Sequence, residues 1–200
     1  MTFAGVDVGG PRKGFHVAVV DRGALVAGPI QLRTPQEVVA WLAPRRPRVV
    51  AVDSPRVAAP DGRRSRECER AIARAICCLR YTPDRARIRA NPYYGWIAHG
   101  FALYALLARV PWAVIECFPT ASWTRWEGSR RPEPRGAWSA RGLERLRLRG
   151  VPSRLGQDAR DAIAAAVTAE LYGAGETEAF GEIEVPLRAT TRRRRFSTAS

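Results

Sequence analysis

Ile115-Glu116-Cys117-Phe118-Pro119-Thr120-Ala121-Ser122-Trp123 places a carboxylate at the end of an apolar run and stops the strand with a proline three residues later. A strand that delivers an acid to its own exit holds that charge at the edge of a sheet. Two other stretches share the design: Phe3-Ala4-Gly5-Val6-Asp7 near the start, and Val49-Val50-Ala51-Val52-Asp53 before Ser54-Pro55. The three carboxylates are expected to meet at one end of one sheet, joined by Asp158 and Asp161 from a late helix. A divalent metal is the natural counter-charge for such a group.

Toward the N-terminus, apolar runs over residues 2–8, 15–20 and 24–30 are separated by short turns, with Asp21-Arg22-Gly23 a hairpin signal, and so predict an antiparallel three-strand meander. Thr34 offers a helix N-cap, with Pro35 at the first helical position and Glu37 three residues on from the cap. The strand at 48–53, reached from the meander through this helix, is most simply parallel to the first. Residues 56–64 read as loop, 65–79 as an amphipathic helix and 94–110 as a buried helix ended by Pro111. A fifth strand follows at 112–117. Residues 127–142, rich in proline, glycine and arginine, read as a mobile loop leading into a basic helix around 140–149. The last helix is expected over 158–172, and from Gly173 onward the periodicity is lost.

The chain has 200 residues with 46% hydrophobic content, enough for one domain with its own core. Residues 1–185 are read as that domain and 186–200 as a basic, disordered tail containing Arg192–Arg195. The formal charge is +14 and the sequence pI is near 11.1, and Lys13 is the single lysine. Such a balance favours polyanionic partners, nucleic acid first. The four cysteines form no CxxC pair and show no zinc-ligand spacing with His16 or His99, which argues against a structural zinc and a disulfide framework. No run of eighteen uncharged apolar residues and no signal-peptide pattern is present, so no membrane partner and a cytoplasmic location are expected.

Each acid also has a bland reading. Asp7 before Gly9-Gly10 and Asp53 before Ser54-Pro55 are placed to bond turn amides. Asp158 suits a helix N-terminus, where an acid gains about 0.3–1 kcal/mol. Glu116, a poor turn and strand former, would otherwise sit in a partly buried salt bridge. Taken together, Asp7, Asp53, Glu116, Asp158 and Asp161 form a hard oxygen donor set suited to two Mg²⁺ or Mn²⁺ ions about 3.5–4 Å apart, the arrangement of two-metal phosphoryl transfer. Arg66 and Arg70 are candidate substrate contacts, and Trp96 is a candidate stacking platform for bases. The competing readings for these are a solvated charged face and core packing. His16 and His99 are read as structural.

The order of elements, with Gly5-Val6-Asp7, Val52-Asp53-Ser54-Pro55, Arg66-Glu67-Cys68-Glu69, Tyr81-Thr82-Pro83, the Glu116–Trp123 block and Asp158-Ala159-Arg160-Asp161-Ala162, resembles the predicted-nuclease family catalogued as domain of unknown function 429. The likeness runs from about residue 3 to 172. It implies an α/β, ribonuclease H-like mixed five-stranded sheet flanked by helices, related to Holliday-junction resolvases. It also implies a metal-dependent nuclease in which Asp7, Asp53, Asp158 and Asp161 hold the metal. Resolvases usually carry glutamate where Asp53 stands, and Glu116 is expected to make up the missing reach. Two rival readings are kept: a nonenzymatic nucleic-acid-binding or regulatory protein, and an ATP-dependent phosphotransferase of the actin and sugar-kinase type, suggested by Asp7-Val8-Gly9-Gly10. DNA or RNA as partner, and the oligomeric state, a homodimer included, are left open by the sequence.

Overall fold

The strands are β1 (Phe3–Val8), β2 (Phe15–Asp21), β3 (Ala24–Leu32), β4 (Val49–Asp53), β5 (Ala113–Cys117), β6 (Thr177–Phe180) and β7 (Ile183–Pro186). In the computed structural model, which describes residues 1–188, they form one mixed sheet in the order β3-β2-β1-β4-β5-β7-β6. β1, β2 and β3 are the expected antiparallel meander. The β2–β3 turn uses Arg22 and Gly23, both at positive φ (47° and 69°), the geometry whose twist matches a two-residue hairpin. Helix α1 (Pro35–Leu42) then carries the chain across so that β4 runs parallel to β1. Its start is capped as expected: Thr34 Oγ1 accepts from the Glu37 amide at 3.2 Å, and Glu37 accepts from the Arg33 amide at 2.7 Å.

Seven strands stand where five were expected. The additional pair, β6 and β7, is an antiparallel hairpin after the last helix, and β7 lies parallel beside β5. Each of these strands has only four residues, too few for an alternation to stand out, and Gly181 at φ 59° makes their turn. Sheet pairing reaches Pro186, and the Leu187 amide still donates to Glu176, at 3.0 Å. The Arg192–Arg195 run lies outside the described residues.

The remaining helices are α2 (Glu67–Ala75), α3 (Arg85–Ala90), α4 (Gly95–Leu107), α5 (Pro119–Glu127), α6 (Arg135–Leu146) and α7 (Gln157–Gly173). Helix α6 begins within the stretch expected to be loop. Pro132 and Pro134 precede its first turn, where a missing amide costs no helical hydrogen bond. Among the described residues, no helix is long and apolar enough to cross a membrane.

Strand alternation divides the core between the two faces of the sheet. Ala4, Val6, Val50 and Val52 pack with Val38 and Leu42 of α1 and with Leu103 and Leu107 of α4. Phe3, Ala51, Ile115 and Cys117 pack under α7, whose Ala162, Ala165, Ala166 and Ala169 line its buried side. The approach of α7 is set by Gly5: a Cβ there would stand 2.0 Å from the Ala166 amide nitrogen and 2.2 Å from the Ala162 carbonyl oxygen. Small residues on both sides let the helix lie flat on β1, and this places its N-terminal turn beside the ends of β1 and β4.

Candidate metal centre

Parallel pairing puts Asp7 of β1 opposite Asp53 of β4. Residues opposite one another share a face, here the face covered by α7, because Ala51, two residues before Asp53, packs beneath that helix. The two carboxyl groups are close enough for the charge of Asp53 to act on Asp7. Helix α7 adds Asp158 and Asp161, three residues apart and so on one side of the helix. The Asp158 side chain is 34% exposed and that of Asp161 is 4% exposed.

Asp161 is held by three donors. Trp123 Nε1 reaches Oδ1 at 2.8 Å, Arg135 Nη2 reaches Oδ2 at 2.9 Å, and Gln157 Nε2 lies 3.0 Å from both oxygens. The Gln157 carboxamide is oriented from behind, since Ser139 Oγ and Arg160 Nη2 both donate to its Oε1, at 3.0 and 3.2 Å. Asp158 pairs with Lys13 Nζ at 3.1 Å. On the other side of β1, His16 of β2 stands opposite Asp7, with Nδ1 4.0 Å from Asp7 Oδ2. One ligand atom from each of Asp7, His16 and Asp158 lies within 4.8 Å of the others.

The electrostatics follow from burial and crowding. Burial, reinforced by the charge of Asp161, pushes the Asp53 carboxyl up to about 8, against the pull of Arg135. Asp7 is held well above the ordinary carboxylate range, by burial first and then by Asp53, Asp161 and Asp158. Asp161 is raised as well, its burial outweighing Arg135, Trp123 and Gln157. Burial lowers His16 below its ordinary value. Among the described residues, Lys13 and Arg135 are the only lysine or arginine side chains bonded to the four aspartates. Four carboxylates against two cations, with three of the acids driven toward protonation, make a hard oxygen donor set that fits Mg²⁺ or Mn²⁺.

Glu116 is placed differently. It pairs with Val52, not with Asp53, and therefore takes the opposite face of the sheet. There it is buried and accepts Arg66 Nη1 at 2.8 Å, Arg66 Nη2 at 2.5 Å and the Arg56 amide at 2.8 Å. Glu69 completes the group, accepting Arg66 Nε at 3.1 Å and the Thr82 amide at 3.0 Å. Glu116, expected on the metal, and Arg66, expected on substrate, thus hold each other. Burial raises the Glu116 carboxyl, and Arg66 opposes the rise. Arg70 turns outward to Glu67 and to Ser65. Trp96 does line the cleft above the acids, a cavity of about 570 Å³ whose wall includes Lys13, Asp53, Phe118, Arg130 and Asp158. Its Nε1 is buried and makes no hydrogen bond among the described residues.

From the sequence, Lys13, Trp123, Arg135 and Gln157 had no expected role at the site, and His16 was expected to be structural. Gln157 carried a signal, four residues before Asp161 on one helix face. His16 carried one too, because the short Gly9–Gly14 turn brings it into register with Asp7. Arg135, at the end of a proline-rich stretch, carried none.

No curated protein matches the chain. Solved structures that resemble it include two of RuvC. "Thermus thermophilus RuvC structure" is 18% identical, covering 88% of this chain and 97% of that one, with a TM-score of 0.47. "T. thermophilus RuvC in complex with Holliday junction substrate" is 18% identical, covering 86% and 94%, with a TM-score of 0.51, and shows that the fold is shared. The profile described as "Protein of unknown function (DUF429)" matches residues 5–184, nearly the whole of the described domain, and the chain belongs to that family.

Proposed function

We propose that the protein is a metal-dependent nuclease that hydrolyses phosphodiester bonds in nucleic acid, with Asp7, Asp53, Asp158 and Asp161 as its metal-holding residues. The observation that carries this reading is the convergence of four aspartates from β1, β4 and α7 at one end of the sheet, with Asp53 and Asp158 on the wall of the cleft, in a chain of net charge +14. A protein that only binds nucleic acid has no reason to gather four acids within its basic surface, because they repel the phosphates it must attract. Mg²⁺ or Mn²⁺ held there would supply Lewis-acid activation of water and stabilisation of the leaving oxygen.

The chain's own residues account for the rest. Trp123 and Gln157 fix the direction of the Asp161 carboxylate, so that it does not have to be ordered at the moment of metal binding. Arg135 and Lys13, 45% and 67% exposed, sit at the mouth and are free to turn from the aspartates to a substrate phosphate. Trp96 offers an aromatic wall to an unstacked base. Glu116 and Arg66 reach the wall of the same cleft, and their buried pair ties the start of α2 to the end of β5. The phosphotransferase reading loses support from the Gly9–Gly14 turn. The Gly9 amide donates to Gly14, and the Lys13 and Gly14 amides to Gly10, at 2.8–2.9 Å, so these amides are already committed within the turn.

The test is cleavage of labelled single-stranded, duplex, hybrid and four-way-junction substrates with Mg²⁺ or Mn²⁺, comparing wild type with Asp53→Asn and Asp161→Asn. The four-way junction is included because one neighbour in fold was solved with a Holliday junction. Metal-dependent cutting that both variants lose supports the proposal. Binding without cutting, equal in all three proteins, favours the nonenzymatic reading.

A further inference from the structure

The four aspartates do not exhaust the donors at this site. His16 approaches from β2, on the side of Asp7 away from Asp53, and its environment differs from that of the chain's other histidine. His99 Nδ1 bonds the Gly9 carbonyl oxygen at 3.1 Å, and its ring lies 4.3 Å from that of Phe15. Among the described residues, the His16 ring nitrogens make no hydrogen bond, and the nearest acid oxygen, Asp7 Oδ2, is 4.0 Å away. That spacing is too long for a hydrogen bond. It does suit two ligands of one ion: bonds of about 2.1 Å place such ligands up to about 4.2 Å apart. Asp158, from a third element, closes the group within 4.8 Å, so side-chain movement of roughly an ångström would bring all three onto a common centre. The three side chains are 20%, 14% and 34% exposed, which leaves room for water to complete an octahedron. The cation now at Asp158, Lys13 Nζ, belongs to a side chain 67% exposed, a pair of the kind that contributes little and yields readily.

From this juxtaposition we infer that His16 is a nitrogen ligand of one ion at the site, shared with Asp7 and Asp158, and that it sets the preference of the site for Mn²⁺ over Mg²⁺. Imidazole suits transition ions, whereas Mg²⁺ is served by carboxylate and water oxygens. The assignment rests on the metal-centre reading and specifies which ion the centre takes.

Two measurements test it on the resting protein, without substrate. The first is pulsed EPR of Mn²⁺ bound to protein labelled with ¹⁵N-histidine, which reads nitrogen coupling to the ion. Wild type and His99→Gln should show the coupling, and His16→Gln should lose it. The second is a titration of both metals: His16→Gln should weaken Mn²⁺ binding about tenfold while changing Mg²⁺ binding less than about twofold. Mn²⁺ bound by wild type without histidine coupling would overturn the His16 assignment and leave the aspartate site standing. So would equal weakening for both metals. Absence of any Mn²⁺ binding by wild type would overturn the assignment together with the metal-centre reading.

Discussion

Asp7 and Asp53 face each other across the parallel pair β1–β4, in register and on the face that α7 covers, and the charge of Asp53 helps to raise the Asp7 carboxyl. Two acids so placed cannot both ionise cheaply without a cation between or beside them. The pairing therefore links the stability of the fold to pH and to metal.

For the metal-free protein it fixes a pH dependence. Asp53 is raised from an ordinary 3.8 to about 8, and Asp7 is raised with it. The native state therefore keeps protons that the unfolded chain has already lost, and stability falls as pH rises from near 4 toward 8. Melting temperature measured in chelator should drop across that interval. Asp53→Asn should flatten the drop and raise stability at pH 8 by about 1–2 kcal/mol, or roughly 2–8 °C. Mn²⁺ should flatten it in the wild type, since a cation favours the ionised acids.

Arg135 competes for the same charge. Its guanidinium is on Asp161 at 2.9 Å, and it lowers the proton affinity of Asp7, Asp53 and Asp161. Arg135→Gln is expected to bind Mn²⁺ severalfold more tightly by calorimetry, because the ion no longer displaces a cation. The same variant should cleave more slowly, since a phosphate contact is lost. Tighter metal binding with undiminished cleavage would remove Arg135 from any role with substrate.

The Glu116–Arg66 pair is expected to matter for folding and not for metal. Arg66→Ala leaves a buried carboxylate without its partner and should cost about 3–5 kcal/mol in denaturant unfolding. Glu116→Gln should destabilise less and leave the Mn²⁺ affinity of the folded fraction within about twofold, because its side chain lies across the sheet from the aspartates. An affinity loss matching that of Asp161→Asn would return Glu116 to the metal site.

Gly5→Ala should be among the most damaging single methyl additions. The new Cβ meets backbone atoms of Ala162 and Ala166 at 2.0–2.2 Å, and backbone cannot turn aside as a side chain can. Moving α7 off β1 also moves Asp158 and Asp161. Loss of about 3 kcal/mol or more in equilibrium unfolding, with weakened Mn²⁺ binding in whatever folds, is the expected outcome.

The sequence made some of this plain and concealed the rest, for identifiable reasons. The meander, the capped first helix and the parallel return to β4 were legible because apolar runs, Arg22-Gly23 and Thr34-Pro35 are local signals. The Asp7–Asp53 pairing followed from two strands with the same ending. Glu116 ends its strand in nearly the same way, yet register against β4 is set by packing, and a shift of one residue put it on the other face with Arg66. The β6–β7 hairpin was too short to show a period. Arg135 lies more than twenty residues from Asp161 in sequence, and only the docking of α6 on α7 brings them together.

The most direct measurement is a calorimetric titration of Mn²⁺ into chelator-treated wild type, Asp53→Asn and Asp161→Asn. A metal centre built on these aspartates should show saturable binding by wild type, weakened at least about tenfold in each variant, with both variants still folded. Wild type that takes up no Mn²⁺ at millimolar concentration, or variants that bind as wild type does, would contradict that assignment.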